Sequence, residues 1–205
     1  MADVAIAHGD DHPETTTGLP HTKLAMWIFL ASECMLFGAL ITTYVLYRGR
    51  SQEGPFPADV FDIPYTSVSS FVLLASSLTM VLALSAAQER DTGRMRLWLL
   101  TTALLGTTFV GGQVYEFTAF YDEGLGLSTN LFSTTFYVLT GFHGVHVTVG
   151  VLMLLSLVGL SSAQRLPADP SFPIEMVGLY WHFVDIVWIV IFTVVYLVPT
   201  PTPGG

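Results

Sequence analysis

The sequence predicts an all-α integral membrane protein of five transmembrane helices. Three observations predict it. Only 11% of the 205 residues are charged and 52% are hydrophobic, whereas a soluble domain carries about 25% charge. Mean hydropathy is +0.60. The apolar residues fall in long unbroken runs rather than alternating, which selects helices over a β-barrel inside lipid.

Runs of about 20 apolar residues, enough to cross the hydrocarbon, place the spans at Leu24–Tyr47, Thr66–Ala87, Leu97–Tyr115, Leu131–Leu160 and Met176–Val198. The fourth run is too long for a perpendicular crossing, so it tilts or extends beyond the bilayer. Residues 1–21 read as a flexible cytoplasmic tail, 22–198 as the membrane domain and 199–205 as a second tail, where Pro199, Pro201 and Pro203 stop the last helix. Gly54-Pro55-Phe56-Pro57 and Pro167-Ala168-Asp169-Pro170 are loops that cannot continue a helix. No internal repeat supports an inverted-repeat transporter.

The first twenty residues show neither a basic n-region nor an apolar h-region, so the first span is expected to direct its own insertion. Lys23, Arg90, Arg94, Arg96 and Arg165 fall on the amino-terminal side of the membrane, and Arg48 and Arg50 on the other. That excess predicts a cytoplasmic amino terminus. A net charge of −9 leaves no basic patch for nucleic acid. The single cysteine, Cys34, excludes an intramolecular disulfide and reads as a small buried hydrophobe.

Ionisable groups inside spans are costly and carry most of the information. Glu33 lies roughly 15 Å into the first span, near the midplane. Two readings stay open: a hydrogen-bonded carboxyl tying helices together, or a proton-handling or channel-lining group. His143 and His146 are three apart and share a helix face. Imidazole is a common metal ligand, but no Glu-x-x-His iron motif appears. Packing, hydrogen bonding or headgroup contact is expected of these histidines, without metal. His182 and Asp185, one turn apart, can pair with each other, and Tyr180, Trp181 and Trp188 suit an interfacial aromatic belt. Gln113, Tyr115 and Glu116 form a polar cluster at the outer end of the third span, a position ordinary for an interface.

Several phrases closely resemble subunit III of haem-copper terminal oxidases. They are Trp27-Ile28-Phe29-Leu30-Ala31-Ser32-Glu33, Leu73-Leu74-Ala75-Ser76-Ser77, Gln113-Val114-Tyr115-Glu116, Phe136-Tyr137…Thr140-Gly141-Phe142-His143-Gly144-Val145-His146-Val147 and Tyr180-Trp181-His182-Phe183-Val184-Asp185-Ile186-Val187-Trp188. They occur in the family's order and cover about 20–200. The family is known in seven-helix and five-helix forms, and this chain looks like the shorter one.

The resemblance implies two helical bundles around a V-shaped cleft that holds phospholipids. It implies a non-catalytic subunit of the bacterial inner membrane, without haem, copper or other metal of its own. Such a subunit packs directly on subunit I of the oxidase, with subunit II and the haem and copper centres in partner chains. Glu33 matches the family's buried, carbodiimide-reactive carboxylate. Trp27, Gln113, Glu116, His143, His146, Trp181, His182 and Asp185 match lipid-cleft or structural polar positions. One departure is the cytoplasmic end of the fourth helix, where a basic residue is usual. Here the nearest is Arg165, which puts phosphate anchoring there in doubt. The expected function is support of a proton-pumping oxidase that reduces dioxygen to water, with cytochrome c favoured over quinol as donor. A nitric oxide reductase accessory subunit and an independent transporter are the competing readings.

The orientation is testable with single cysteines in a Cys34→Ser background. Thiols near Thr92 and Ala168 should label from the cytoplasm and one near Glu123 from outside. The reverse pattern would defeat the charge argument.

Overall fold

The helices sort around one central element, the last. The structure, a computed structural model, describes residues 20–48 and 62–198. Within them lie α1 (His21–Tyr47), α2 (Ile63–Gln88), α3 (Thr92–Asp122), α4 (Leu131–Ser162) and α5 (Ser171–Phe192). A π-helical turn, Thr193–Leu197, carries α5 onward. All five helices are long and apolar enough to cross a membrane.

Helix starts follow local chemistry. Asp62 accepts from the Tyr65 amide ahead of α2, with proline in the first turn, and Asp91 accepts from the Arg94 amide ahead of α3. Asn130 and Ser133 close a reciprocal capping box on α4. Ahead of α5, Asp169 accepts from both the amide and the hydroxyl of Ser171. Those two bonds hold its carboxyl below the usual carboxylate range. Arg90 and Gln164 turn the chain out of α2 and α4 with φ of 60° and 54°, in the left-handed region where glycine is the common choice.

Two helices outrun their apolar spans. α3 starts at Thr92 and ends at Asp122, because Asp91 caps it early and its polar end is buried by neighbours. Glu116, just past the apolar run, therefore lies inside the helix together with Gln113. α4, at 32 residues, is roughly 48 Å long.

The contacts run α2 to α3, α3 to α4, α2 and α4 to α5, and α1 to α4 and α5. Among the described residues this is one packed set. Within it α1 seats in the groove between α4 and α5. Its seam is narrow: Leu30, Phe37 and Tyr44, seven apart, are its buried residues. That heptad spacing is the coiled-coil pattern, and it leaves most of the helix facing outward. Polar contacts fix both ends. Lys23 pairs with Glu175 of α5, and Arg48 donates to the carbonyl of Val194 at 3.2 Å. Cys34 falls off the seam and is exposed, which corrects the buried reading.

α5 meets α2 through an antiparallel ladder of side chains. Trp188 Nε1 donates to Ser70 Oγ at 2.8 Å, and Trp181 Nε1 to Ser76 Oγ at 3.0 Å. His182 Nδ1 lies 2.6 Å from Ser77 Oγ. Trp181 also fills the space left by two glycines. A Cβ on Gly106 of α3 would come within 2.4 Å of its ring, and one on Gly150 of α4 within 2.8 Å. One indole thus joins four helices, and its full burial displaces it from the interfacial belt expected for it. Small residues permit this approach where apolar burial alone gives no drive between helices in lipid.

Gly106→Ala and Gly150→Ala should each destabilise the bundle by about 1–3 kcal/mol through overpacking. Gly144→Ala, whose Cβ would meet nothing within 4 Å, should be nearly neutral. Unfolding of the purified chain by denaturing detergent measures the difference.

Candidate functional site

The site pairs a carboxyl and an imidazole on different helices. Glu33 lies on the α1 seam between Leu30 and Phe37, which directs it at α4. There its Oε2 sits 3.1 Å from Nε2 of His146. The other ring nitrogen, Nδ1, lies 2.7 Å from the carbonyl of Phe142, one turn back on the same helix. A carbonyl only accepts, so Nδ1 carries a hydrogen. The contact between Nε2 and Oε2 then holds one proton in the neutral pair. It is either imidazolium with carboxylate or imidazole with carboxylic acid. Tyr180 of α5 braces the pair by donating its hydroxyl to the His146 carbonyl at 3.0 Å. Phe37 sets its ring edge-on to His146 at 5.0 Å. Each side chain of the pair keeps about a sixth of its surface open, 15% for Glu33 and 16% for His146.

His143 does not join this pair. It is fully buried, and neither ring nitrogen has a hydrogen bond among the described residues. Its ring stacks on Trp188 at 4.9 Å, with Phe109 and Phe37 edge-on at 6.0 and 6.3 Å. The two histidines share a helix but part at their tips, one toward Glu33 and one into an aromatic box. Among the described residues, no three of His, Cys, Asp and Glu converge as a metal site would require.

His182 and Asp185 form no ion pair, contrary to the expectation from their spacing. α2 offers Ser77 on the near side, and His182 takes that hydroxyl instead. The Asp185 carboxyl approaches the same hydroxyl without closing a well-formed bond, and it is 97% buried by its 3% residual exposure. Ser77 therefore stands between a buried acid and a half-buried base.

Gln113 and Glu116 are buried between helices. Glu116 takes the Thr66 hydroxyl of α2 on one oxygen and Gln113 Nε2, at 3.0 Å, on the other. α3 continues past Tyr115, which keeps Glu116 on the same helix face as Gln113 three residues earlier. Trp27, by contrast, is 50% exposed on the outer side of α1.

Two features escaped the sequence reading. The serines of α2 at 70, 76 and 77 match the indoles and imidazole of α5 in reverse order, a pairing visible only once the helices are known to be adjacent. At the end of α4, Arg96 of α3 donates Nε to Ser161 Oγ at 2.7 Å and Nη2 to the Ser161 carbonyl. A cation thus reaches that helix end from a neighbour, although α4 has none in its last turn.

The fixed tautomer of His146 makes a sharp expectation. With Nδ1 donating to Phe142, a neutral imidazole presents Nε2 as acceptor, and Glu33→Gln supplies an N–H to it. Stability should stay within about 0.5 kcal/mol of the parent, whereas Glu33→Leu should lose about 0.6–1.7 kcal/mol, the range for one interhelical bond in a membrane. Denaturing-detergent titration of both variants checks this.

The profile of the family described as cytochrome c oxidase subunit III matches residues 2–199 of this chain. Cytochrome bo(3) ubiquinol oxidase subunit 3 of Pseudomonas aeruginosa is 37% identical over 192 residues, covering 94% of this chain and 91% of that one. Cytochrome c oxidase subunit 3 of Alkalihalophilus pseudofirmus is 39% identical over 190 residues, 91% of each chain. Quinol oxidase subunit 3 of Bacillus subtilis is 37% identical over 174 residues, 85% of each.

Proposed function

Since this chain belongs to the cytochrome c oxidase subunit III family, we propose that it is the non-catalytic third subunit of a terminal oxidase that reduces dioxygen with electrons from cytochrome c. That it is a subunit III of a haem-copper oxidase complex follows from the family and its relatives. The finer reading places haem and copper in partner chains, with subunit I in direct contact and subunit II beyond. It places the chain in a bacterial inner membrane with the amino terminus inside, and phospholipids on its outward apolar faces.

The observation that carries the scaffolding role is the engagement of the midplane acid. Glu33 is held by His146 across the boundary between α1 and α4, where it secures the most loosely seated helix. A through-membrane proton carrier would need neighbours able to pass the proton on. Among the described residues the pair meets the Phe37 ring, the Phe142 carbonyl and the Tyr180 hydroxyl, and that hydroxyl is committed to the His146 carbonyl. The acid and amide on α3 are likewise taken up in a helix tie.

A quinol-oxidizing complex is the second reading, favoured by the relatives named as ubiquinol and quinol oxidase subunits. The donor site would lie on another subunit in either case.

Purification through a tag on this chain should yield a coloured, copper-containing complex that consumes oxygen with reduced cytochrome c. Activity only with a quinol would select the second reading. The chain expressed alone should be colourless, and stoichiometric haem or copper on the folded chain would overturn the scaffold role. In the assembled complex Glu33→Gln should retain most of the oxygen consumption. Abolished turnover with full assembly would make Glu33 an obligatory proton carrier.

A further inference from the structure

A second set of buried polar side chains lies roughly 16 Å of helical rise along α1 from Glu33. Glu116 and Gln113 of α3 are almost wholly enclosed there. Both Glu116 oxygens are engaged, one by the Thr66 hydroxyl and one by Gln113 Nε2. The π-helical turn that extends α5 carries Tyr196 to the same place. Its hydroxyl approaches Thr66, and it lies within electrostatic reach of Glu116 and of Tyr44 on α1. Tyr44 is fully buried against Phe132 of α4, and Phe136 of the same helix packs edge-on to Tyr196. Four helices and the turn thus enclose one polar cluster behind aromatic rings.

Two atoms of the cluster are left over. The Tyr44 hydroxyl and Gln113 Oε1 are buried with no hydrogen-bond partner among the described residues. Buried polar atoms are nearly always paired, through ordered water where no protein group reaches them. Exchanging oxygen and nitrogen in the Gln113 amide does not change the count, since one end meets Glu116 and the other meets nothing. The two atoms are also complementary: the phenol has a proton to donate, and the amide oxygen accepts. Arg48, one turn beyond Tyr44, has only donors, and it gives Nη1 to the Val194 carbonyl.

We propose that this cluster is a binding site for ordered internal water, held between Tyr44 and Gln113. Water matches the pattern of donors and acceptors. It accepts the phenolic O–H, donates one O–H to Gln113 Oε1 and keeps a second O–H for the Tyr196 oxygen. A cation does not match, because Glu116 already gives both oxygens to Thr66 and Gln113, and among the described residues no three metal-binding side chains gather. An acyl chain or a dissolved gas would leave both atoms unpaired. The water extends the hydrogen-bond network of α2 and α3 to α1, whose own packing runs to α4 and α5. The site lies wholly within this chain and stands whichever donor the oxidase uses.

X-ray hydroxyl-radical footprinting tests the site, because radicals formed from a held water oxidise the side chains beside it. The sample is the full chain in the complex that purifies through a tag on it. Tyr44 and Tyr196 should be oxidised despite their burial. Met80 and Met95, equally buried and by nature more readily oxidised, should stay unmodified. After mixing with heavy-oxygen water, the label should enter exposed Tyr121 at once and Tyr44 only after a delay, since held water exchanges slowly. Tyr44→Phe removes a single oxygen and should lower Tyr196 oxidation at least several-fold. Should that variant fail to assemble, Gln113→Leu should lower Tyr44 oxidation by a similar factor. The proposal is overturned if Tyr44 is no more oxidised than Met80 and Met95, or if heavy oxygen reaches Tyr44 and Tyr121 together. Oxidation unchanged in the assembled variant would overturn it as well.

Discussion

The bond from Trp181 to Ser76 is the contact on which the arrangement of four helices depends. Its indole lies against Gly106 and Gly150 so closely that neither position has room for a methyl group. In lipid, apolar side chains gain little by leaving acyl chains for one another, so association relies on close packing and interhelical hydrogen bonds. Trp181 supplies both at one point. Trp188, two turns on, repeats the scheme with Ser70, Phe109 and His143. The two layers fix the rotation of α5 about its axis. That rotation in turn decides which residues face α1 and which face outward.

α1 shows what happens where this device is missing. Its apolar seam is one residue wide per two turns, with buried residues only at Leu30, Phe37 and Tyr44. Polar contacts take a larger share in holding it: Lys23 with Glu175 at one end, Arg48 with the Val194 carbonyl at the other, and Glu33 with His146 between them. Spacing such contacts along the helix resists both sliding and rotation, which a thin seam of Leu and Phe would permit. Each is modest singly, since interhelical polar contacts in membranes average about 0.6 kcal/mol.

The five helices and their order were legible in the sequence because apolar run length is a one-dimensional property. Glu33, His143, His146, His182 and Asp185 were legible as unusual for the same reason, since charge inside such a run stands out. Their partners were not. His182 and Asp185 look paired by spacing, yet the competing hydroxyl of Ser77 comes from another helix, and no local rule reports which helix is nearest. Glu116 looked interfacial because its run of apolar residues stops at Tyr115. The helix itself continues to Asp122, since a helix ends where its caps and packing allow rather than where hydropathy falls. Trp181 suited a belt by residue type, and only the glycines opposite it reveal a core position. Arg96 acts at the end of α4 from α3, a contact hidden by 65 residues of sequence separation.

These partner choices bear on function more than the residue types do. An acid, a base and a hydroxyl within membrane spans would serve a proton path if they formed a continuous chain. Here they are separated by aromatic packing: His143 between Trp188 and Phe37, and Glu33 with His146 against Phe37. Among the described residues each of these polar groups is engaged locally or enclosed by rings. The half-open imidazole of His182 departs from that pattern. Its Nδ1 meets Ser77 of α2, so this ring belongs to the ladder between α2 and α5 rather than to the aromatic layers.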